Sequence, residues 1–384
     1  MSSARDVFVT RVAACLPNEP VGNDDMERIL GQVGERPSRA RRTVLRSNGI
    51  QSRHYAIDPE TLEYTHTNAT LTAEAVRGLV GEGFDLAQIQ SLACGTTVAD
   101  QLAPGHGLMV HGELGLPACE VVSNAGICLA GMGAFRYAWM SVLSGLHDNA
   151  VATGSELASA MLRSVNYEAE NEALVQALEK QPELAFEKDF LRWMLSDGAG
   201  AVLLQPQPGP GPVSLRVDWM ELVSYAGEME TCMYAGATKG EDRRLRSWLL
   251  HSQRERAAQS VMAIKQDVKL LNEHIVEYSV ERAVRMLRDK HRVEADDFDW
   301  FVPHYSSGYF REKVLEGLQN AGMPIPFERW FTNLPWKGNT GSASIYIMLE
   351  ELFHSGKLEP GQRVLCYIPE SGRFSTCFMC LTVV

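Results

Sequence analysis

Apolar residues follow two spacings along this chain, one typical of helices and the other typical of buried strands. The stretch "TAEAVRGLV", residues 72–80, has the helical spacing, and the compact apolar run "IQSLACGTT", residues 89–97, follows it. The same order returns in the second half, where "VERAVRML", residues 280–287, precedes "FDWFVPHYSS", residues 298–307. Helices that alternate with short apolar strands predict an α/β protein.

Two long helices are predicted at matching positions of the two halves. They are "CLAGMGAFRYAWMSVLSG", residues 128–145, and "NTGSASIYIMLEELFHSG", residues 339–356, and each leads through a turn into an apolar strand. Both begin with a dense group of Gly, Ala and Ser, although glycine costs a helix up to about 1 kcal/mol relative to alanine. That density indicates two helices in close backbone contact. The chain therefore predicts a duplicated fold with parallel sheets around a buried helix pair.

The halves are predicted to meet in the Pro/Gly-rich run at residues 205–215. This divides the chain into residues 1–205 and residues 206–384. Each half carries a long charged segment with a helical pattern, residues 165–193 in the first and residues 223–276 in the second. Their mixed charge is typical of a solvated helical surface.

Composition and charge remove several classes of function. Apolar residues make up 45% and charged residues 22% of the chain, as in soluble domains. The 48 acidic residues outnumber the 36 basic ones, and no Lys/Arg-rich block is present to neutralise phosphates, so no nucleic acid partner is expected. No stretch reaches the roughly 18 consecutive apolar residues of a membrane span, and the first residues lack a signal sequence. A cytoplasmic protein with no membrane partner is expected.

The eight cysteines are scattered through apolar segments, which predicts reduced thiols. The one Cys-x-x-Cys pair, Cys377 and Cys380, falls in a strand-like run where residues three apart face opposite sides, so core packing is expected there. No group of His, Cys or carboxylate residues has the spacing of a metal site. The run "DGAGA", residues 197–201, lacks a full nucleotide fingerprint. Neither a metal nor a cofactor is predicted.

Three residues at matching ends of the duplicated scaffold indicate chemistry. Cys128 and Asn339 start the two central helices, where free backbone N–H groups and the helix dipole would stabilise a thiolate, the reactive form of cysteine. His304 follows a predicted strand, at the end where parallel strands present functional groups. Each residue alone has a structural explanation, as a small core filler, a helix cap and a hydrogen-bonded histidine respectively. Together they favour a nucleophilic site.

Four motifs occur in order along the chain: "SNAGICLAGMGAFRYAW" at 123–139, "LSDGAGAVLL" at 195–204, "FVPHYSS" at 301–307 and "WKGNTGSASI" at 336–345. They resemble the successive motifs of the β-ketoacyl-[acyl-carrier-protein] synthase III enzymes, which are condensing enzymes of the thiolase-like superfamily. The stretch "LRSNGIQSRHYAID", residues 45–58, is similar to the family's segment near the substrate entrance. The resemblance implies a five-layer αβαβα fold from two duplicated halves. It also implies an acyltransferase that forms carbon–carbon bonds by Claisen condensation.

Carried over residue by residue, the resemblance implies a set of catalytic residues. Cys128 accepts an acyl group from a thioester, and His304 and Asn339 hold the carbonyl oxygen of a second thioester. The N–H groups of Cys128 and Gly372 match the family's oxyanion hole, although Gly372 is equally explained as a turn glycine. The implied partners are acyl carrier protein or coenzyme A thioesters and a second copy of the chain. That copy is expected against the strand "NAVATGSE", residues 149–156.

A basic group departs from the family pattern at the entrance. Arg42 stands where related enzymes often carry a tryptophan that stacks on coenzyme A, and Arg39, Arg41 and Arg46 lie beside it. On an acidic protein this group would attract the acidic face and phosphopantetheine arm of a carrier protein. A solvated basic loop is the alternative.

Glu370 and the two charged segments are further departures. Glu370 lies close to the expected oxyanion hole, where its carboxylate is either an additional base or the partner of Arg373. The segments 165–193 and 223–276 would cap an acyl tunnel or extend a dimer interface.

These departures point away from the first step of fatty acid biosynthesis and toward secondary metabolite biosynthesis of polyketide type. The most specific hypothesis is a ketosynthase/cyclase resembling those of dialkylresorcinol and stilbene pathways, which joins an acyl and a β-ketoacyl thioester and closes a cyclohexanedione ring. Decarboxylative extension by malonyl carrier protein is one alternative, and acyl transfer to an oxygen or nitrogen nucleophile is another. A silent subunit of a condensing heterodimer is a third, against which the retention of Cys128, His304 and Asn339 argues.

Overall fold

The computed structural model describes residues 5–33, 41–166 and 191–384. The strands are β1 (Phe8–Cys15), β2 (Val21–Gly22), β3 (Ser52–Arg53), β4 (Ser91–Thr96), β5 (Glu120–Ala125), β6 (Ala150–Glu156), β7 (Gly198–Gln205), β8 (Leu215–Ser224), β9 (Met233–Tyr234), β10 (Ala237–Lys239), β11 (Leu245–Ser247), β12 (Lys265–Gln266), β13 (Trp300–Pro303), β14 (Arg363–Glu370) and β15 (Ser375–Val383).

The helices are α1 (Met26–Leu30), α2 (Arg41–Asn48), α3 (Asn68–Arg77), α4 (His106–Leu114), α5 (Ala130–Leu143), α6 (Ser159–Leu162), α7 (Gln253–Ala258), α8 (Val268–Val276), α9 (Ala283–His291), α10 (Arg311–Asn320), α11 (Leu334–Lys337) and α12 (Ser344–Phe353). A π-helical segment, Glu277–Arg282, joins α8 to α9.

A nine-stranded sheet runs through the molecule in the order β13-β14-β15-β8-β1-β7-β6-β4-β5. On one side β4 pairs in parallel with β6, and β6, β7 and β1 continue antiparallel. On the other side β13 pairs in parallel with β14, and β14, β15 and β8 continue antiparallel. The shared topology confirms the duplication. The prediction of parallel sheets is confirmed for the pairs of β4 with β5 and β6 and of β13 with β14. It is wrong for the remaining pairs, because a buried antiparallel strand has the same apolar run as a buried parallel one.

Three apolar cores separate five layers. Helices α3 and α4 pack on one face of β4, β6 and β7 through residues such as Leu71 and Val110. Helices α5 and α12 lie in the centre, between the two sides of the sheet. Helices α9 and α10 cover the outer face of β13, β14 and β15 through residues such as Leu287 and Leu318. The five-layer αβαβα arrangement predicted from the sequence is confirmed.

Small residues at the start of α5 let the two central helices touch. The hydroxyl of Tyr346 on α12 donates to the carbonyl of Gly131 on α5 at 2.7 Å. A Cβ atom on Gly131 would lie 2.5 Å from the carbonyl oxygen of Ser342, and Gly154 on β6 faces the same oxygen. The close backbone approach therefore requires glycine here, as the density of small residues predicts.

Substituting Gly131 with alanine should destabilise the protein by about 3 kcal/mol, because the new methyl group overlaps a backbone carbonyl in a packed core. The matched control is Gly112→Ala on α4, where a Cβ would meet nothing within 4 Å. That variant should gain up to about 1 kcal/mol from its better helix propensity. Denaturant unfolding measures both changes, and equal midpoints for the two variants would contradict the close packing of the central helices.

The central helices begin later than predicted, and one charged segment is less helical. Helix α5 starts at Ala130, and α12 starts at Ser344 after a 3₁₀ turn at Gly341–Ala343. The segment 223–276 contains the short strands β9 to β12 besides α7 and α8. The segment 165–193 lies largely outside the described residues.

Strand β6 lies inside the sheet, between β7 and β4, and all of its residues are buried. A second copy therefore cannot pack against residues 149–156, and that predicted dimer surface is wrong. Strand β5 is the edge strand on this side, and its residues Ser123 and Ala125 are exposed. Strand β7 ends at Gln205 and β8 begins at Leu215, while the domain division at residue 205 stays a prediction.

Candidate active site

Cys128 lies in a tight turn between the edge strand β5 and the central helix α5. Strand β5 ends at Ala125, and α5 begins at Ala130, whose N–H donates to the carbonyl of Ile127 at 3.0 Å. The Cys128 side chain is 9% exposed and packs in the central core. The thiol is therefore placed two residues before the helix, at one end of the central layer.

The protonation state of Cys128 differs from the prediction. Burial raises the pKa of its thiol well above the usual value, and the nearby carboxylates of Glu370 and Glu156 raise that pKa further. The predicted thiolate is therefore wrong for the resting protein, because desolvation and two negative charges outweigh a helix dipole that begins two residues later. Acylation of Cys128 consequently requires a base that takes the thiol proton.

The Glu370 carboxylate binds the backbone of the turn that carries Cys128. Its Oε2 accepts the N–H of Ile127 at 3.0 Å and the N–H of Leu129 at 3.1 Å. Arg373 donates its Nε to the carbonyl of Met229 at 2.7 Å instead of pairing with Glu370. The alternative that made Glu370 the partner of Arg373 is therefore wrong.

His304 and Asn339 are both buried, and each is held in place by a hydrogen bond. His304 directly follows β13, is 3% exposed, and donates its N–H to the carbonyl of Tyr367 at 2.8 Å. Burial lowers its pKa to about 4, so the imidazole is neutral near pH 7. The Asn339 side-chain oxygen accepts the N–H of Gly341 at 3.0 Å, which turns its carbonyl inward and leaves its NH₂ group as a donor.

A cavity with about 630 Å³ of empty space, part of it open to solvent, brings Cys128 and Asn339 together. Most of its other lining side chains are apolar, among them Met161, Leu191, Met194, Leu195, Met233 and Ile264. His304 is not among the lining residues, although Ser306, two positions further on, is. In the described structure Cys128 and Asn339 therefore line the same apolar cavity. His304 does not line it, but it lies two residues before Ser306, which does.

Solved structures share this fold along nearly the whole chain. AbyA1, a tetronic acid condensing enzyme, has a TM-score of 0.73 at 21% identity, covering 98% of this chain and 99% of that chain. OleA from Xanthomonas campestris, solved with bound lauric acid and lauroyl-CoA, has a TM-score of 0.71 at 17% identity, with coverage of 98% and 99%. The synthase FabH from Pseudomonas aeruginosa has a TM-score of 0.69 at 18% identity, with coverage of 98% and 98%. The predicted thiolase-like fold is confirmed.

Sequence relatives agree with the shared fold. The family described as 3-oxoacyl-[acyl-carrier-protein (ACP)] synthase III C terminal matches residues 289–368, which contain His304 and Asn339. The β-ketoacyl-[acyl-carrier-protein] synthase III of Caulobacter vibrioides is 23% identical over 360 residues, covering 93% of this chain and 94% of the relative. That of Xanthomonas euvesicatoria is 24% identical over 361 residues, covering 91% and 90%. This chain is therefore similar along most of its length to the β-ketoacyl-[acyl-carrier-protein] synthase III enzymes.

The cavity that contains Cys128 and Asn339 is also lined by Glu156, which the sequence analysis did not single out. Glu156 ends β6, and its Oε1 accepts the N–H of Ser342 at 3.0 Å and the hydroxyl of Thr97. Burial raises its pKa to about 7. The sequence signal for Glu156 is a carboxylate at the end of the apolar strand "AVATGSE". His304 was predicted from the same kind of position, the end of a strand.

Gly372 lies near the turn that carries Cys128. A Cβ atom on Gly372 would lie 3.1 Å from Cδ1 of Ile127, the residue before Cys128. The carbonyl oxygen of Gly372 accepts the N–H of Cys232 at 2.9 Å, and this bond holds the peptide group that follows Gly372. Its role in an oxyanion hole stays a prediction.

The predicted basic group divides into a paired and an exposed part. Arg41 forms ion pairs with Glu27 at 3.0 Å and Asp24 at 3.3 Å. Arg42 and Arg46 are exposed and lie four residues apart on one face of α2, and Arg39 lies outside the described residues. In the part of the chain that the structure covers, no helix is long and apolar enough to cross a membrane.

Proposed function

We propose that this protein is a ketosynthase that joins two acyl thioesters through an acyl-Cys128 intermediate. The observation that supports it is the apolar cavity shared by the thiol of Cys128 and the amide of Asn339. In the first step the sulfur attacks the carbonyl carbon of a thioester. A base in the site takes the proton of the thiol, and the carrier sulfur takes up that proton as it leaves, so one thioester replaces another with little change in bond energy. The acyl chain then lies along the apolar lining.

Hydrogen-bond donors serve the two carbonyl oxygens. The N–H groups of Cys128 and Gly372 receive the oxygen of the acyl group on the enzyme. The neutral imidazole of His304 and the NH₂ group of Asn339 hold the carbonyl oxygen of the second thioester as its enolate develops. The resulting carbanion attacks the acyl carbon, and the Cys128 sulfur leaves and regains a proton.

We assign the second substrate to the β-ketoacyl thioesters. The carbon between two carbonyl groups is acidic, so a base in the cavity removes its proton without loss of carbon dioxide. Glu156 suits this step because it lines the cavity and its pKa of about 7 places it near neutrality. His304 is the other candidate base. Glu370 is the base candidate from the sequence. Its carboxylate is bound to the nucleophile turn, which is the turn at residues 126–129 that carries Cys128.

Ring closure is the final step of the proposal. After condensation, the two ends of the product are tethered in one cavity at high effective concentration. A base then removes a proton from a carbon of the product that is placed to give a six-membered ring, and this carbanion attacks the carbonyl carbon of the remaining thioester. The carrier sulfur leaves and takes up the proton, which closes a cyclohexanedione ring, as in the dialkylresorcinol pathways of secondary metabolism. AbyA1, which shares the fold at 21% identity, is named as a tetronic acid condensing enzyme.

The partners in this proposal are an acyl carrier protein or coenzyme A and a second copy of the chain, in the cytoplasm. The exposed cations Arg42 and Arg46 would receive the acidic face of a carrier. The exposed edge of β5 replaces residues 149–156 as the surface for a homodimer, because it offers unpaired backbone groups.

The test supplies the protein with an acyl thioester plus either a β-ketoacyl thioester or malonyl carrier protein. A cyclic dione from the first mixture is the expected result. Carbon dioxide and an open-chain β-ketoacyl product from the second mixture, with no dione from the first, would replace the cyclase by a decarboxylative synthase. Transfer of the acyl group only to an added amine or alcohol would show an acyltransferase. No acyl adduct on Cys128 with any donor would show a silent subunit.

A further inference from the structure

The Glu370 carboxylate binds the backbone on both sides of Cys128. Its Oε2 accepts N–H groups from Ile127 and Leu129, the residues on either side of Cys128. Glu370 is the last residue of β14, on the opposite side of the sheet in the strand order from β5, which leads into the turn. Hydrogen bonds to a charged acceptor are about twice as strong as neutral ones. One side chain thus fastens the second half of the molecule to the turn of the first.

Glu370 also faces a different space from the acyl cavity. The cavity that contains Cys128 and Asn339 has no lining contribution from Glu370. Glu370 instead lines a second cavity, with Gly126 and Leu129 from the turn and Ser375 from β15. The hydrogen bonds of Glu370 thus reach the turn that carries Cys128 from this second cavity.

We propose that Glu370 is a positioning residue that holds the nucleophile turn and opposes negative charge on the Cys128 sulfur in the protein without substrate. This role rests on the proposed acyl-Cys128 intermediate. The turn has three successive N–H groups, and Glu370 takes the first and third. The N–H of Cys128 lies between them and lowers the pKa of its own thiol, against the larger effects of burial and the two carboxylates.

The charge balance around the sulfur supports this role. A helix start normally offers N–H groups and a positive dipole that favour a thiolate. Here a carboxylate occupies that place, and Glu156 from β6 adds a second negative charge. The His304 imidazole is neutral, so it adds no positive charge that would offset the two carboxylates. A protonated Cys128 resists alkylation and oxidation in the empty enzyme, since the thiolate is the reactive form.

The experiment measures the rate of iodoacetamide alkylation of Cys128 between pH 6 and pH 10 by peptide mass spectrometry. Wild-type protein should titrate above the usual range of a free thiol, near 8.5. Glu370→Gln keeps the shape and an acceptor oxygen but removes the charge, so alkylation at pH 7.5 should be roughly tenfold faster. Glu370→Ala should be faster as well. Glu359→Gln, which removes an exposed carboxylate before the start of β14, at the opposite end of that strand from Glu370, should match wild type.

Two outcomes would overturn the proposal: a wild-type thiol that titrates at or below 8.5, or a Glu370→Gln profile equal to or slower than wild type. The wild-type titration decides the first even where a variant folds poorly. A second measurement separates positioning from base catalysis. With a preformed acyl-enzyme, Glu370→Gln should condense within about threefold of wild type, whereas loss of a base would cost about 10²-fold or more. Alkylation uses no acyl donor, so it stands even if the ketosynthase proposal fails.

Discussion

Replacing Cys128 with alanine should abolish formation of the acyl-enzyme while leaving the protein folded. Cys128 is the cysteine that lines the cavity, and the thioester exchange has no nucleophile without its sulfur. Alanine fits the site because the side chain is buried among apolar neighbours and donates no structural hydrogen bond from sulfur in the described structure. Intact-protein mass spectrometry after incubation with acyl-coenzyme A or an acyl carrier thioester measures the adduct.

The matched control is Cys119→Ala, which removes a half-buried thiol just before β5. That variant should form the adduct to the same extent as wild type. An undiminished adduct in Cys128→Ala would remove the covalent mechanism. Loss of the adduct in both variants would point to a disturbed fold rather than to a missing nucleophile, which thermal unfolding would reveal.

Alanine at His304 or Asn339 should produce an enzyme that is acylated but does not condense. Each change removes one donor to the developing enolate oxygen, which costs about 10²- to 10³-fold in rate. The acyl-enzyme should therefore accumulate and be visible by mass. Because the pKa of His304 is about 4, its imidazole is neutral above about pH 5, and its contribution should not vary between pH 6 and pH 8.

The two steps are separated by supplying the second thioester to preformed acyl-enzyme and following product release. Condensation at wild-type rates in both variants would contradict the assigned roles. Failure of acylation in His304→Ala alone would indicate instead that the imidazole takes the proton of Cys128. Asn339→Asp is a useful companion, since it keeps the oxygen that accepts the N–H of Gly341 but loses the NH₂ donor.

The sequence predicted the duplicated halves, the layers and the close contact of the central helices, because each depends on periodicity or on residue size. It did not predict strand direction, since buried strands of both kinds have continuous apolar runs. The interior position of β6 was missed for the same reason. Which strand lies at an edge depends on the order of the whole sheet, and "NAVATGSE" and "EVVSNA" differ too little in pattern to decide it.

The candidate site shows a similar division. Cys128, His304 and Asn339 were predicted because the duplication and the family motifs coincide at these positions, and their roles stay a prediction. The protonated state of the Cys128 thiol was not predicted, because the position of Glu370 beside the turn depends on a contact between the two halves of the chain. Glu156 was missed because a single carboxylate at a strand end is common, and only the cavity distinguishes it.

The edge position of β5 exposes the molecule to a particular kind of misassembly. An open strand edge is a template for any extended chain, and proteins commonly protect such edges with lysine, proline or a bulge. Strand β5, "EVVSNA", has none of these, and its one charge, Glu120, stands at the end remote from Cys128. The part of the edge nearest Cys128 is therefore the least protected in a single copy of the chain, and pairing with a second copy along β5 would cover it. A monomer formed during overexpression would be open to strand addition beside Cys128 before its core unfolds.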